Sequence, residues 1–293
     1  MVVGITSRIT TPPLILAVET SSRMGSIALA LGAKMMAESG FSTPLRHSAE
    51  IFPAIRDLLD RLGREPSQIE HVYISCGPGS FSGLRIAATL AKMMNLANAA
   101  RIVAVDTLDV VAANVVDLAG AGCRSISDHQ PPAVNCQRLA AVLDAKRGRF
   151  FIAVYERQAG TENRGQRTED RGQKTEDGLA TCDLRPAACG VWRKVLADSL
   201  MTIPEFLAQF ANGPARLPSG GQEPIWLLGD GLVYYKDSFR ADGIRFFEQT
   251  YWSPQARNVH SLGWHKALRG QFAEPLALTP NYLRTPDITM KSR

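Results

Sequence analysis

Apolar positions in the first third of the chain fall into short runs, and each run ends in turn chemistry. Leu14–Glu19 (LILAVE) is an apolar run closed by a carboxylate, Thr20–Gly25 (TSSRMG) reads as a turn, and Ser26–Leu31 (SIALAL) reads as the returning strand of a hairpin. Lys34–Phe41 predicts a third strand. From His47 to Leu62 the period changes to that of a helix. Ile51, Ile55, Leu58, Leu59 and Leu62 share one face, and Gly63 is placed to end it. A strand over Val72–Cys76, a glycine-rich turn over Gly77–Gly83 and a helix over Leu84–Asn98 follow. Next come a strand over Ile102–Val105 and a helix over Leu108–Ala119 with Thr107 as its cap. Strands alternating with helices predict an α/β layer built on a mixed sheet.

After a polar connection, Gly120–Gln137, the pattern restarts. Leu139–Asp144 and Arg149–Tyr155 form a second expected hairpin, turned at Ala145–Gly148. A hairpin opening each half predicts two related α/β lobes, although no clear sequence repeat links them. Arg164–Asp170 (RGQRTED) and Arg171–Asp177 (RGQKTED) are near-identical seven-residue units without an apolar residue. They cannot make a coiled-coil seam, and the stretch 157–182 reads as a solvated low-complexity insertion. Further on, Thr202 with Glu205 fits a capping box opening a helix through Phe210. Ile225–Leu228 is a strand running into Gly229-Asp230-Gly231, Ala256–Arg269 reads as a helix, and Leu278–Arg284 as an extended tail. The expected division is a disordered extension over 1–13, a first lobe over 14–120 and a second over 138–293.

The chain has 293 residues, 45% of them hydrophobic, enough for two lobes with their own cores. A net charge of +5 suits a polyanionic partner, but part of it lies in the insertion and it adds little by itself. The five cysteines show no C-x-x-C spacing and the five histidines no H-x-x-x-H pair. Neither a metal site nor a disulfide framework is expected, and a reduced, cytoplasmic setting is. Met1–Pro13 lacks a signal-peptide pattern, and no apolar stretch approaches the ~20 residues of a membrane span. No membrane partner is expected.

Two motifs carry candidate chemistry. A carboxylate at a strand end followed by a small-hydroxyl turn, here Glu19 and then Thr20, Ser21 and Ser22, is how actin-like and hsp70-like ATPases open. There the acid orients a metal-bound water and the turn cradles phosphate. Those enzymes use aspartate, so Glu19 weakens the parallel, and an ordinary hairpin bearing an acid is the competing reading. The second motif is Gly77-Pro78-Gly79-Ser80-Phe81-Ser82-Gly83-Leu84-Arg85-Ile86. Its glycines permit close backbone approach, but no lysine follows Gly83, so it is not a phosphate-binding P-loop. It is either a tight strand–helix turn with Phe81 buried, or a docking elbow with Phe81 exposed.

The segments ILAVETSS with GSIALAL, RHSAEIFPAI, GPGSFSGLRI, VDTLDVVA, VLDAKRGRFFIAVY and PNYLR occur in that order. In this they resemble the TsaB (YeaZ) family, and GPGSFSGLR is the most specific of them. The resemblance implies two RNase H-like lobes of the actin-like ATPase superfamily, with mixed sheets flanked by helices. It implies a non-catalytic subunit that pairs with TsaD in forming N6-threonylcarbamoyladenosine at adenosine 37 of tRNAs reading codons that begin with A. TsaE, a P-loop ATPase, joins them, and tRNA is met through the complex. The subunit alone would form a homodimer. It would hold no cofactor of its own, with ATP and metal on the partner subunits. The expected partner interface is Gly77, Pro78, Gly79, Ser80, Phe81, Gly83, Leu84, Arg85, Ala88 and Ala91, with Ala87 and Met94 as further helix contacts. Glu19, Thr20, Ser21 and Ser22 would be a vestigial nucleotide-binding turn, with no metal ligands and no catalytic residue. The alternative from a different class is an independent ATPase or small-molecule kinase built on Glu19 and the Ser21/Ser22 turn.

Overall fold

The computed structural model describes residues 11–44, 46–116, 118, 136–158, 192–211 and 223–284. The expected N-terminal extension up to residue 10, the RGQxTED repeat and all but the last two residues of the 120–137 connection lie outside the described residues. Three antiparallel strands open the chain: β1 (Leu14–Glu19), β2 (Ser26–Leu31) and β3 (Lys34–Gly40). The helix α1 (His47–Arg61) follows. It ends in a left-handed Gly63 whose N–H reaches Asp60 O while the Arg64 N–H reaches Leu59 O, so two otherwise orphaned carbonyls are satisfied. Then come β4 (Ile69–Ser75), α2 (Phe81–Asn98) and β5 (Arg101–Val105). Strands β4 and β5 join parallel, giving the order β3-β2-β1-β4-β5.

The second half repeats this plan. Strands β6 (Arg138–Asp144), β7 (Arg149–Arg157) and β8 (Trp192–Thr202) are antiparallel; β9 (Ile225–Leu228) and β10 (Ile244–Phe246) add in parallel. The order β10-β9-β6-β7-β8 is the first sheet's order with its elements renumbered. The α/β reading with two mixed sheets therefore holds, and both expected hairpins are present. The helix α4 (Ile203–Phe210) opens on the Thr202/Glu205 capping box, as expected. The sequence patterning passed over β8, β10 and the single-turn α5 (Leu232–Tyr235).

Both faces of the first sheet are covered at its centre, so β1 and β2 are apolar on both sides. Leu14, Leu16 and Val18 meet α1 and α2 residues such as Ile51, Leu58 and Ala91 in one core. Ile15 and Ala17 point the other way, against α6 (Ala256–Leu268). Here the structure corrects the expected boundaries. The helix α6 and the segment that follows it lie against the first sheet, not within the second lobe. Ala273 bridges to Ile102, Leu278 enters the first core, and the Asn281 N–H donates to Cys76 O at 2.6 Å. Conversely, α3 (Thr107–Ala112), early in the chain, places Leu108, Val111 and Ala112 in the core of the second sheet. This helix is shorter than expected, and Thr107 is its first residue, not its cap. Asp106 holds the extended cap position, and the Thr107 hydroxyl is buried without a partner. Each lobe thus borrows a helix from the other half of the sequence.

Candidate functional site

Strand β1 ends on Glu19 in the interior, and the turn after it folds against the start of α2. Helix α2 begins at Phe81, three residues earlier than the spacing suggested, because the Ser80 side chain accepts the Gly83 N–H as its cap. The two turns interlock. The Ser80 N–H donates to Ser21 O at 2.6 Å, and Thr20 Oγ1 donates to Gly83 O at 2.7 Å. A Cβ on Gly83 would lie 1.8 Å from Thr20 O, and one on Gly79 would lie 2.4 Å from Ser21 O. The glycines of GPGSFSG therefore serve close approach of one backbone to another.

This packing decides what the first motif can do. Glu19 is fully buried. Its Oε1 accepts the Ser21 N–H at 2.6 Å and the Ser21 hydroxyl, and its Oε2 accepts the Ser75 hydroxyl. Burial holds the Glu19 pKa above the usual carboxylate range, against the pull of those hydrogen bonds. The N–H that a phosphate-cradling turn would offer to a ligand is already donated to Glu19. His47 secures the same turn from α1, its Nε2 lying 2.9 Å from Ser22 O. A carbonyl can only accept, so that nitrogen carries the proton.

Above the interlocked turns lies a cleft of about 540 Å³ between the lobes. The first lobe contributes Ser21, Ser22, Arg23 and Gly79–Ser82. The second contributes Asp144–Arg147, Asp230 and Tyr234, and the tail adds Asn281–Arg284. Asp230 accepts the backbone N–H groups of Asp144 and Arg23, linking the lobes across the floor. Burial there pushes its carboxyl up to about 6. Tyr282 packs on Phe81 at 5.1 Å, and Arg284 Nη1 donates to Ala145 O at 2.5 Å. The tail thereby joins the GPGSF turn to the β6–β7 turn. Of these residues the sequence pattern singles out only Ser21, Ser22 and the GPGSF turn. The Gly229-Asp230-Gly231 turn and PNYLR were the signals available for the rest.

The expected interface residues separate into two groups. Gly79, Ser80 and Phe81 line the cleft and Arg85 is exposed, whereas Gly77, Pro78 and Gly83 are buried in the turn. Leu84, Ala88 and Ala91 point into the chain's own core, 1%, 7% and 0% exposed, which corrects their expected outward role. The outward face of α2 carries Arg85, Thr89, Met93 and Leu96 instead. Among the described residues no group of three or more potential ligands gathers as a metal site, and no helix is long and apolar enough to cross a membrane.

Over 146 residues the chain is 29% identical to the tRNA threonylcarbamoyladenosine biosynthesis protein TsaB of Bacillus subtilis (strain 168), covering 50% of this chain and 56% of that protein. The chain is similar to TsaB over about half its length. The protein of the same description from Escherichia coli (strain K12) is 28% identical over 143 residues, 49% of this chain and 55% of that one. The matched stretch thus spans about half the length of these TsaB proteins. A family model described as TsaD: tRNA N6-adenosine threonylcarbamoyltransferase matches residues 43–163. In three dimensions the chain resembles YeaZ from Pseudomonas aeruginosa, with a TM-score of 0.62 at 20% identity over 92% of this chain and 100% of that one. The twin mixed sheets therefore share the fold of that YeaZ protein, in keeping with the two α/β lobes expected from the sequence.

Proposed function

We propose that this chain is the TsaB-type, non-catalytic subunit of a complex that forms threonylcarbamoyladenosine on tRNA. It would pair with a TsaD-type subunit that performs the transfer, with a TsaE-type ATPase joining them. The observation that carries the pairing is the outer face of the α1–α2 layer. Leu96, Phe52 and Met93 are 89%, 55% and 53% exposed. The inner face of α2 is already filled by its own core, so Met93 and Leu96 on its outer face are left to meet another protein, as exposed large apolar side chains commonly do. The sealed Glu19 supports the absence of chemistry of the chain's own. A metal-water-orienting acid must be ionised and open to the ligand, and this one is buried, raised in pKa and bonded internally. ATP and metal accordingly belong on the partner subunits. An independent ATPase or kinase would need the same carboxylate free.

The test is co-purification of the full chain with the TsaD-type protein of the same organism. Met93→Glu and Leu96→Glu place a charge on exposed positions, so the isolated subunit should keep its circular dichroism spectrum. Partner affinity should fall at least tenfold, a loss of ~1.4 kcal/mol or more. Failure of the wild-type chain to pair, or ATP turnover by the chain alone that disappears in Glu19→Ala, would sink this reading.

A further inference from the structure

Among the described residues, four arginines are neutralised by carboxylates at hydrogen-bond distance: Arg61 by Asp57, Arg138 by Glu156, Arg240 by Asp237 and Arg257 by Glu38, all at 2.7–3.0 Å. Two arginines at the cleft mouth are held differently. The Arg85 guanidinium lies 3.9 Å from the centre of the Phe81 ring, and its Nε donates to the Tyr282 hydroxyl at 3.3 Å. On the same lobe, Arg23 Nη1 donates across the cleft to the Tyr234 hydroxyl at 2.6 Å, with its guanidinium 5.2 Å from that ring's centre. Among the described residues neither has a carboxylate partner. Stacking on a ring and one bond to a phenol fix each guanidinium plane while leaving most of its N–H groups to reach outward. A fork held this way loses little entropy when it meets a phosphate.

The surroundings have the same sign. Arg23, Lys146, Arg147 and Arg284 line the cleft, four cations against the two carboxylates Asp144 and Asp230. Both acids are engaged, Asp144 with Lys146 Nζ at 2.7 Å and Asp230 with two backbone N–H groups. Ser80 and Ser82 line the first-lobe wall beside Arg23. Tyr234 is 64% exposed and offers a ring face beside Arg23. Basic groups interleaved with exposed aromatic rings bind the backbone of unpaired nucleotides and stack their bases. An acidic protein segment would use the cations but would leave the ring faces without a partner of matching shape.

We infer that the mouth of the interlobe cleft is an RNA-contacting surface, with Arg23 and Arg85 as its phosphate-binding residues and Tyr234 as a base-stacking platform. The inference rests on the proposed role in a tRNA-modifying complex and adds that this subunit touches the RNA itself. It leaves room for the partner. Met93 and Leu96 lie ~12–17 Å from Arg85 along the helix axis, at 1.5 Å per residue, towards the other end of α2.

The experiment measures binding of unmodified tRNA to the full chain, alone and with the TsaD-type partner, across a salt series. Arg23→Glu/Arg85→Glu in the chain alone should weaken tRNA binding at least tenfold. It should also make log K against log salt shallower by about 1.4–1.8, at ~0.7–0.9 for each phosphate that is no longer neutralised. Lys34→Glu, an exposed cation outside the cleft, should change either value little. Tyr234→Ala should weaken binding with the salt slope unchanged. The inference is overturned if the chain alone binds no tRNA, if the double variant binds as tightly as Lys34→Glu, or if polyglutamate competes as well as polyuridylate. Arg23→Glu alone should still co-purify with the partner. If the wild-type chain fails to pair, the complex reading has failed, and that outcome is separate from the tRNA titration of the chain alone.

Discussion

At the scale of single residues, Glu19 shows how far a motif can be read. The sequence places a carboxylate at a strand end before a hydroxyl turn, and the structure keeps it there. What the sequence could not show is the closure around it. Ser75 is 56 residues away, and Gly83 is 63 residues from its contact Thr20. Such closure has no local signature. It carries a pH consequence. An acid whose folded pKa stands above its unfolded 4.5 is most stabilising below that pH, and the contribution is lost as pH rises through the folded value. Glutamine mimics the protonated form and can still accept from Ser21 and donate to Ser75. Glu19→Gln should therefore melt higher than wild type at pH 8, and the gap should narrow as pH falls towards 4.5. Calorimetric Tm values from pH 5 to 8 check this, and a gap that widens on acidification would refute it.

Among elements, those with strong local periodicity were legible, and those defined by distant neighbours were not. Strands β1 and β2, the hairpin β6–β7 and the boxed start of α4 match their expected bounds to within two residues. Strand β8, WRKVLADSLMT, has no clean alternation, and it is a strand because it pairs along β7. On α2 the apolar residues run nearly all round, so sequence could not say which side faces out. The buried Ala88 and Ala91 against the exposed Met93 and Leu96 answer that. Helix α6 docks through Gly263, where an added Cβ would lie 2.6 Å and 2.8 Å from ring carbons of the fully buried Tyr73. Alanine at a helical glycine gains up to ~1 kcal/mol in propensity. Overpacking a buried site costs ~1–3 kcal/mol, and Tyr73 has nowhere to move, so the steric term wins. With the full propensity gain set against that cost, Gly263→Ala should lower Tm by up to about 8 °C, a net loss of up to ~2 kcal/mol at ~2–4 °C per kcal/mol for a chain near this size. An unchanged or raised Tm would mean that α6 is loosely seated.

For the whole molecule, the recurrence of a hairpin at each half foretold the two sheets, and their strand orders repeat one another. The exchange of helices between halves was not foretold, because periodicity reports that a face is apolar without saying which sheet it meets. A chain ending before Ala256 would leave Ile15, Ala17, Ala28, Tyr73 and Val103 uncovered. Such a fragment should bind the dye ANS and lose a cooperative melt. A sharp, wild-type-like transition would show that the first sheet is complete without α6. The same return of α6 to the first sheet bears on synthesis by the ribosome. At ~5–20 residues per second, roughly 10–30 s separate the emergence of Val105 from that of Leu268. Through that interval the opening strands are already made and one face of them has nothing to rest on. The newborn chain thus passes through a stage in which its earliest segment is the stickiest part of it, and a chaperone waiting at the exit tunnel would find its best target there.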